Sequence, residues 1–137
     1  MSNDVEEFSN IIGFVIYFAA EVPPVFVVSA RKSGVVPETG LSNLLRLHDS
    51  LGWDVSSPLT PHPEFTWLQQ IGGVETREMY RTFNMGTGMI LAVSCEQAEA
   101  ISGWLSARMQ GTAIIGTVVN NGHKVTHALP DVEFSHY

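Results

Sequence analysis

The stretch Met89-Ile-Leu-Ala-Val-Ser-Cys-Glu-Gln-Ala98 and its continuation Glu99-Ala-Ile-Ser-Gly-Trp-Leu-Ser-Ala-Arg-Met109 contain the sharpest change of period in the chain. Met89–Val93 is a short, unbroken apolar run, as expected of a buried strand. Ser94 and Gln97 then have capping-box spacing: a serine hydroxyl accepts from a backbone N–H of the new helix while the glutamine reaches back. Over 95–109, Ala98, Ile101, Leu105 and Met109 fall on one stripe at helical spacing, with Trp104 beside it. Beyond it, residues 112–119 (Thr-Ala-Ile-Ile-Gly-Thr-Val-Val) predict a strand. Asn121-Gly122 predicts a hairpin, because both residues tolerate positive φ, and Lys124–Leu129 then returns as the partner strand.

Upstream of the same stretch, Pro63 can occupy the first turn of a helix, where its missing N–H leaves nothing unpaired. That helix runs through Phe65, Trp67, Leu68 and Ile71 and stops at Gly72-Gly73, where a left-handed residue ends helices readily. A second short helix is predicted over 75–82, with Met79 and Tyr80 buried. Phe83–Gly88 is then a glycine-bearing loop. Nearer the start, the apolar run Ile11–Ala20 is rich in β-branched and aromatic residues, which favours strands. It predicts a strand near 11–19, a turn at 21–24 and a strand near 25–30. The middle of residues 11–62 reads as loop, with Ser33-Gly34, Pro37, Gly40, Ser56-Ser57-Pro58 and Pro61 as breakers. Residues 1–10 form a polar tail, and 11–137 form a single domain. Helices alternating with strands, closed by a hairpin, make an α+β class: a mixed sheet covered by helices.

Composition narrows the function classes. The 137 residues carry 14 Asp+Glu against 7 Lys+Arg, a net charge of −7, with 45% apolar and 15% charged residues. Disordered chains have the opposite balance. Nucleic-acid binding needs clustered Lys and Arg, and the longest basic run here is Arg31-Lys32. The run 11–20 is too short for a bilayer span, which takes about 20 apolar residues. Its extension to Ala30 contains Glu21 and Pro23-Pro24, and the preceding segment has Asp4, Glu6 and Glu7 but no Lys or Arg, unlike a secretory leader. Cys95 is the single cysteine, which excludes an intrachain disulfide and fits a reducing, cytoplasmic compartment.

Several groups have chemical potential, each with a plainer alternative. Asn84-Met-Gly-Thr-Gly88 is a G-x-G that precedes a strand, unlike the dinucleotide fingerprint or the phosphate-binding loop that opens a helix. Its glycines let backbone N–H groups approach a ligand closely, or simply form a tight turn. Arg77, Glu78 and Arg81 gather just before it; Arg81 and Glu78 can orient a phosphate or hold the loop, or be surface charge. His123 and His127, four apart on a strand, would share a face and reach one metal, or form a solvated hairpin face. Cys95, opening a helix, is a nucleophile if its thiolate is stabilised, and otherwise a small apolar residue. His48 and His62 fall in loop-like sequence. Trp53, Trp67 and Trp104 are expected in the core, partly exposed.

The run Pro63-Glu-Phe-Thr-Trp-Leu-Gln-Gln-Ile-Gly-Gly-Val-Glu-Thr-Arg-Glu-Met-Tyr-Arg-Thr-Phe-Asn-Met-Gly-Thr-Gly-Met89 resembles the C-terminal domain of aminoimidazole ribonucleotide synthase, the phosphoribosylformylglycinamidine cyclo-ligase. Gly40-Leu-Ser-Asn-Leu-Leu-Arg-Leu47, Pro58-Leu-Thr-Pro61 and Ala113-Ile-Ile-Gly116 fit the same family, and the resemblance spans roughly residues 40–126. It implies a three-layer α/β/α mixed sheet, partly ferredoxin-like. It also implies a cleft that takes a small phosphorylated or nucleotide-like ligand, lined here by Gly40, Asn43, Arg46, Asn84, Gly86 and Gly88. Arg81 joins that set from its place beside the loop.

The family's ring closure uses ATP and magnesium, held mostly by an N-terminal domain whose aspartate- and glycine-rich motif has no counterpart here. The His-Ile-Thr-Gly run of the family is replaced by Val35-Val-Pro-Glu-Thr-Gly40, and residues 11–34 diverge. The expectations are therefore a stand-alone ligand-binding domain, with no catalytic residues, cofactor or metal of its own. ATP and magnesium enter only with an N-terminal-type partner chain, as half of a split cyclo-ligase of purine biosynthesis. A third expectation is a non-catalytic homo-oligomeric interaction module.

Overall fold

A computed structural model describes residues 14–17, 35–37, 40–93 and 95–137. Met89–Ala92 forms a strand, β4, inside a four-stranded antiparallel sheet of order β2-β4-β1-β5, with β1 at Phe14–Tyr17, β2 at Val35–Pro37 and β5 at Ala113–Ile114. β1 pairs with β4 from Phe14 opposite Ala92 to Tyr17 opposite Met89, and β2 pairs on its other side. The two-residue period of β4 sorts its side chains. Ile90 and Ala92 enter the main core, while Leu91 packs with Leu105, flanked by Met89, Val93, Ile101 and Met109.

Leu105 lies on α3 (Cys95–Ser106), the helix expected from the apolar stripe. It ends three residues earlier than the stripe does. The chain tightens there, with Arg108 and Met109 both donating to the Leu105 carbonyl. Ala98 and Leu105 are buried, as the spacing requires. The capping serine Ser94, the turn at 21–24 and the strand near 25–30 lie outside the described residues.

The strand expected over 112–119 is two strands in two sheets. β5 belongs to the first sheet and β6 (Thr117–Val119) to a second, of order β6-β3-β7, where β3 is Gly52–Val55 and β7 is Val125–His127. The break falls at Ile115-Gly116. A Cβ on Gly116 would collide with the Asp54 carbonyl, so only glycine lets the chain cross so near β3.

The expected hairpin at Asn121-Gly122 is a correction. β6 and β7 do not pair with each other; β3 lies between them, antiparallel to β6 and parallel to β7. The turn tolerates positive φ as foreseen, at Gly122 (79°) and His123 (60°). It steps over the end of β3 instead of folding back. The Asn121 side chain sets that step: Oδ1 accepts from the Lys124 N–H (3.1 Å) and Nδ2 donates to the Lys124 carbonyl (3.2 Å). Gly52 makes room, since a Cβ there would collide with Asn121 Oδ1. The Lys124 carbonyl also accepts from Trp53 N–H at 2.8 Å, which seats β7 beside β3.

The segment read as loop thus supplies the central strand of the second sheet. It also supplies a seven-residue 3₁₀ helix, Leu41–Leu47, which buries Ser42, Leu44 and Leu45. The main core joins Leu44 and Leu45 to Trp53 and Val55 of β3, Ile115, Val118, Val125, Val132 and Phe134. Met79 and Tyr80 of α2 (Thr76–Thr82) complete it, as predicted.

The tryptophan expectation holds only for Trp53, which is 1% exposed. α1 (Pro63–Gly72) starts at its proline and ends at Gly73 (φ 59°) as foreseen, but buries no residue; Trp67 is 59% and Ile71 69% exposed. Phe65 is half-buried, tilted against Phe83 with ring centroids 6.0 Å apart. Trp104 is likewise exposed and stacks under Arg108 at 4.0 Å. No helix among the described residues is long and apolar enough to cross a membrane.

Candidate functional site

The Asn84–Gly88 loop connects α2 to β4 and is a tight turn. The Asn84 carbonyl accepts from the Thr87 N–H (2.9 Å), and its side-chain Oδ1 accepts from the Gly86 N–H (3.0 Å). Met85 (φ 52°) and Gly86 (φ 91°), the two central residues, both have positive φ. A left-handed methionine costs about 1 kcal/mol or more. Met85 nonetheless keeps that conformation because its side chain is buried in the main core. Burial of a methionine recovers about 1.5–3 kcal/mol, which exceeds the backbone cost.

One remote piece of sequence closes on the end of α2 and another on this turn. Gly40, with φ 62°, opens the 3₁₀ helix, and a Cβ there would collide with the main-chain carbonyl of Arg81. Asn43 folds back, its backbone N–H and its Nδ2 both donating to the Gly40 carbonyl at 3.2 and 3.3 Å. On the other flank, a Cβ built on Gly86 would lie 2.6 Å from Cδ2 and 3.5 Å from Nε2 of His62. The imidazole edge thus fills the space that glycine leaves.

The structure therefore sets Gly40 and Asn43 against the end of α2 at the Arg81 backbone, and Asn84 and Gly86 in the turn beside His62, with Gly88 leading into β4. The Arg81 side chain is exposed at the last turn of α2. Glu78, its suggested companion, instead accepts from the Thr82 hydroxyl at 3.1 Å. Arg46 stands apart, near the far end of the 3₁₀ helix, about 12 Å along its axis from Gly40 at roughly 2 Å per residue. Its guanidinium lies 4.7 Å from the Tyr137 ring centroid. His62 falls in loop-like sequence. Its neighbours Pro61 and Pro63 signal a stiff segment, but nothing in the local pattern foretells Gly86 as its contact.

The other candidates separate. His123 is in the turn before β7 and its Nε2 donates to the Leu45 carbonyl at 3.0 Å, so this nitrogen carries the proton. His127 sits on β7 with its ring 4.7 Å from Tyr80, and its Nδ1 accepts from the Leu129 N–H. Its Nε2 is buried without a hydrogen-bond partner. Burial lowers the His127 pKa from the ordinary imidazole value and raises that of Tyr80. Among the described residues, no group of three or more His, Cys, Asp or Glu could hold a metal ion. Cys95 is exposed at the first position of α3.

Residues 40–128 match the family model described as AIR synthase related protein, C-terminal domain. A phosphoribosylformylglycinamidine cyclo-ligase of Methanopyrus kandleri is 40% identical over 88 residues, covering 64% of this chain and 25% of that relative. That of Methanosarcina barkeri is 40% identical over 94 residues, covering 67% and 26%. That of Neisseria meningitidis serogroup C is 36% identical over 84 residues, covering 61% and 22%. The chain spans about a quarter of the length of these curated relatives.

Proposed function

Since this chain belongs to the AIR synthase related family, through the C-terminal domain of that family, we propose that it binds a small phosphorylated or nucleotide-like ligand at the Asn84–Gly88 turn. The observation that carries the reading is the exposed Arg81 guanidinium at the end of α2, three residues before a tightly braced glycine turn. It supplies planar, charge-assisted donors for phosphate oxygens. Gly40 is set against the Arg81 carbonyl and Gly86 against His62, which fixes the backbone on which that side chain and the turn are carried. Asn43 and Asn84 fix the local backbone, and Arg46 serves the far end of an extended ligand.

A thermal-shift series with ribose 5-phosphate, AMP, ATP and pyrophosphate tests this. A native-state ligand at 100 times its Kd stabilises by about 2.7 kcal/mol. Arg81→Ala should remove most of that shift without changing the midpoint of the free protein. No shift with any of the four compounds would defeat the reading.

The coverage of the relatives supports a second reading, that the chain works as one part of an ATP-dependent cyclo-ligase completed by another chain. Ring closure then needs the region these relatives have beyond the match. The purified chain alone should show no turnover above a Gly86→Trp control, and turnover should appear on mixing with an ATP-binding partner. The single, exposed thiol of Cys95 supports a cytoplasmic site of action. The exposed Trp67, Leu68 and Ile71 support the third alternative, self-association as an interaction module.

A further inference from the structure

We infer that His62 is the positioning residue of the Asn84–Gly88 turn, holding it in the form that takes an anionic ligand; the ligand half of this inference rests on the reading above. The resemblance does not supply His62, and no spacing in the sequence singles it out.

The argument begins with its delivery. His62 lies between Pro61 and Pro63. A residue before proline is held away from helical conformation, and His62 is extended accordingly (φ −65°, ψ 150°). Its carbonyl accepts from the Phe65 N–H at 3.0 Å, tying it to the first turn of α1. Phe65 in turn packs on Phe83, the residue that precedes Asn84. The segment is therefore stiff on both sides and docked beside the loop.

From that footing the imidazole is half-buried and presents its Cδ2–Nε2 edge to Gly86. The turn needs this support. Asn84 provides hydrogen bonds from within the turn, and Met85 anchors it from the core side. Gly86, the residue with the widest conformational freedom, has its open flank against His62. Without the ring, Gly86 keeps only the Asn84 bond and the His62 main chain to hold it at φ 91°. The G-x-G element would then sample other backbone states, and the bonds from the Gly86 and Thr87 N–H groups to Asn84 would open more often.

The test compares the full-length chain with His62→Ala, His62→Phe and Gly86→Ala. In wild type, amide exchange at Gly86 and Thr87 should be slow, because both N–H groups are bonded to Asn84; His62→Ala should speed it about tenfold, and His62→Phe, which refills the volume, should restore most of the protection. The thermal midpoint of His62→Ala should stay within a few degrees of wild type, since the residue lies outside the main core. Pyrophosphate, titrated calorimetrically, should bind His62→Ala about tenfold more weakly than wild type, with recovery in His62→Phe and no further loss when His62→Ala is added to Gly86→Ala.

Unchanged exchange at Gly86 and Thr87 in His62→Ala overturns the inference outright, with or without a ligand. Faster exchange with unchanged pyrophosphate affinity overturns its ligand half. If wild type binds no pyrophosphate while the exchange effect appears, the positioning role stands and the phosphate-binding reading falls.

Discussion

Gly40 and Gly73 offer a controlled comparison of what the junction between the 3₁₀ helix and α2 contributes. Both have positive φ, 62° and 59°, but Gly73 (ψ 33°) is left-handed helical whereas Gly40 (ψ 142°) lies in a region held almost only by glycine. They differ in surroundings: a Cβ at Gly73 meets nothing within 4 Å, whereas one at Gly40 collides with the carbonyl oxygen, carbonyl carbon and Cα of Arg81. Gly73→Ala should therefore cost only the left-handed penalty, about 1 kcal/mol. Gly40→Ala adds a steric term that no side-chain rotation can relieve, because every colliding atom is main chain. Moving the helix start off α2 resembles an overpacked core and costs about 1–3 kcal/mol more. With about 1–3 kcal/mol for the backbone of Gly40, the total is about 2–6 kcal/mol, a large share of the roughly 5–15 kcal/mol that holds a domain folded. For a chain of this length the thermal midpoint should drop by about 4 °C in Gly73→Ala and by about 8 °C or more in Gly40→Ala. Urea titrations of both variants beside wild type give the free energies, with equal m-values as the check that only stability has changed. If Gly40→Ala costs no more than Gly73→Ala, the close packing of Gly40 on Arg81 is wrong.

Three further expectations concern other parts of the molecule. Gly103, mid-way along α3 with open space where a Cβ would go, should accept alanine with a gain of about 0.5–1 kcal/mol, read as a higher urea midpoint. Trp67→Ser with Ile71→Ser should change stability by less than about 1 kcal/mol, because α1 buries no residue, and should lower any concentration-dependent mass in sedimentation; a large loss of stability would mean the stripe is covered. Burial lowers the His127 pKa below its unfolded value, so the unfolded chain binds the extra proton first as pH falls. The resulting stability is present above pH 6.5, the ordinary imidazole value, and is lost as pH falls through the lower folded-state pKa. His127→Gln should flatten the stability profile in that window, and an unchanged acid slope would remove His127 as its source.

The elements legible in the sequence were those with a local cause. Pro63, Gly73 and the apolar stripe of α3 act within a turn or two, and each marks its element where the structure has it. Met79 and Tyr80 were legible because α2 has only one apolar face. What escaped had a distant cause. Gly52–Val55 is short and flanked by breakers, and it is a strand because β6 and β7 come to it from more than sixty residues away. Asn121-Gly122 carries the local signature of a hairpin. Whether such a turn folds back or steps over a third strand depends on Gly52, which local pattern does not reveal. Trp67 and Ile71 have core-like chemistry on a helix that buries neither, and hydrophobic periodicity cannot tell a covered face from an open one. Of the site, the resemblance supplied the glycines and the asparagines; the partner of Gly86 became visible only when two loops were seen in contact.

That contact bears on how far the chain can act alone. The described supports of the turn are Met85 from the core, Asn84 from the turn itself and His62 from the head of α1. All three lie inside residues 40–128, the region shared with the family. The geometry of the turn is thus set by short contacts internal to about a quarter of the length of the relatives. The proposed binding at the turn would draw on that geometry alone, and is therefore testable on this chain by itself. If pyrophosphate affinity is the same with and without an added ATP-binding chain, the turn is self-sufficient; if affinity appears only in the mixture, the local contacts are not enough to shape it.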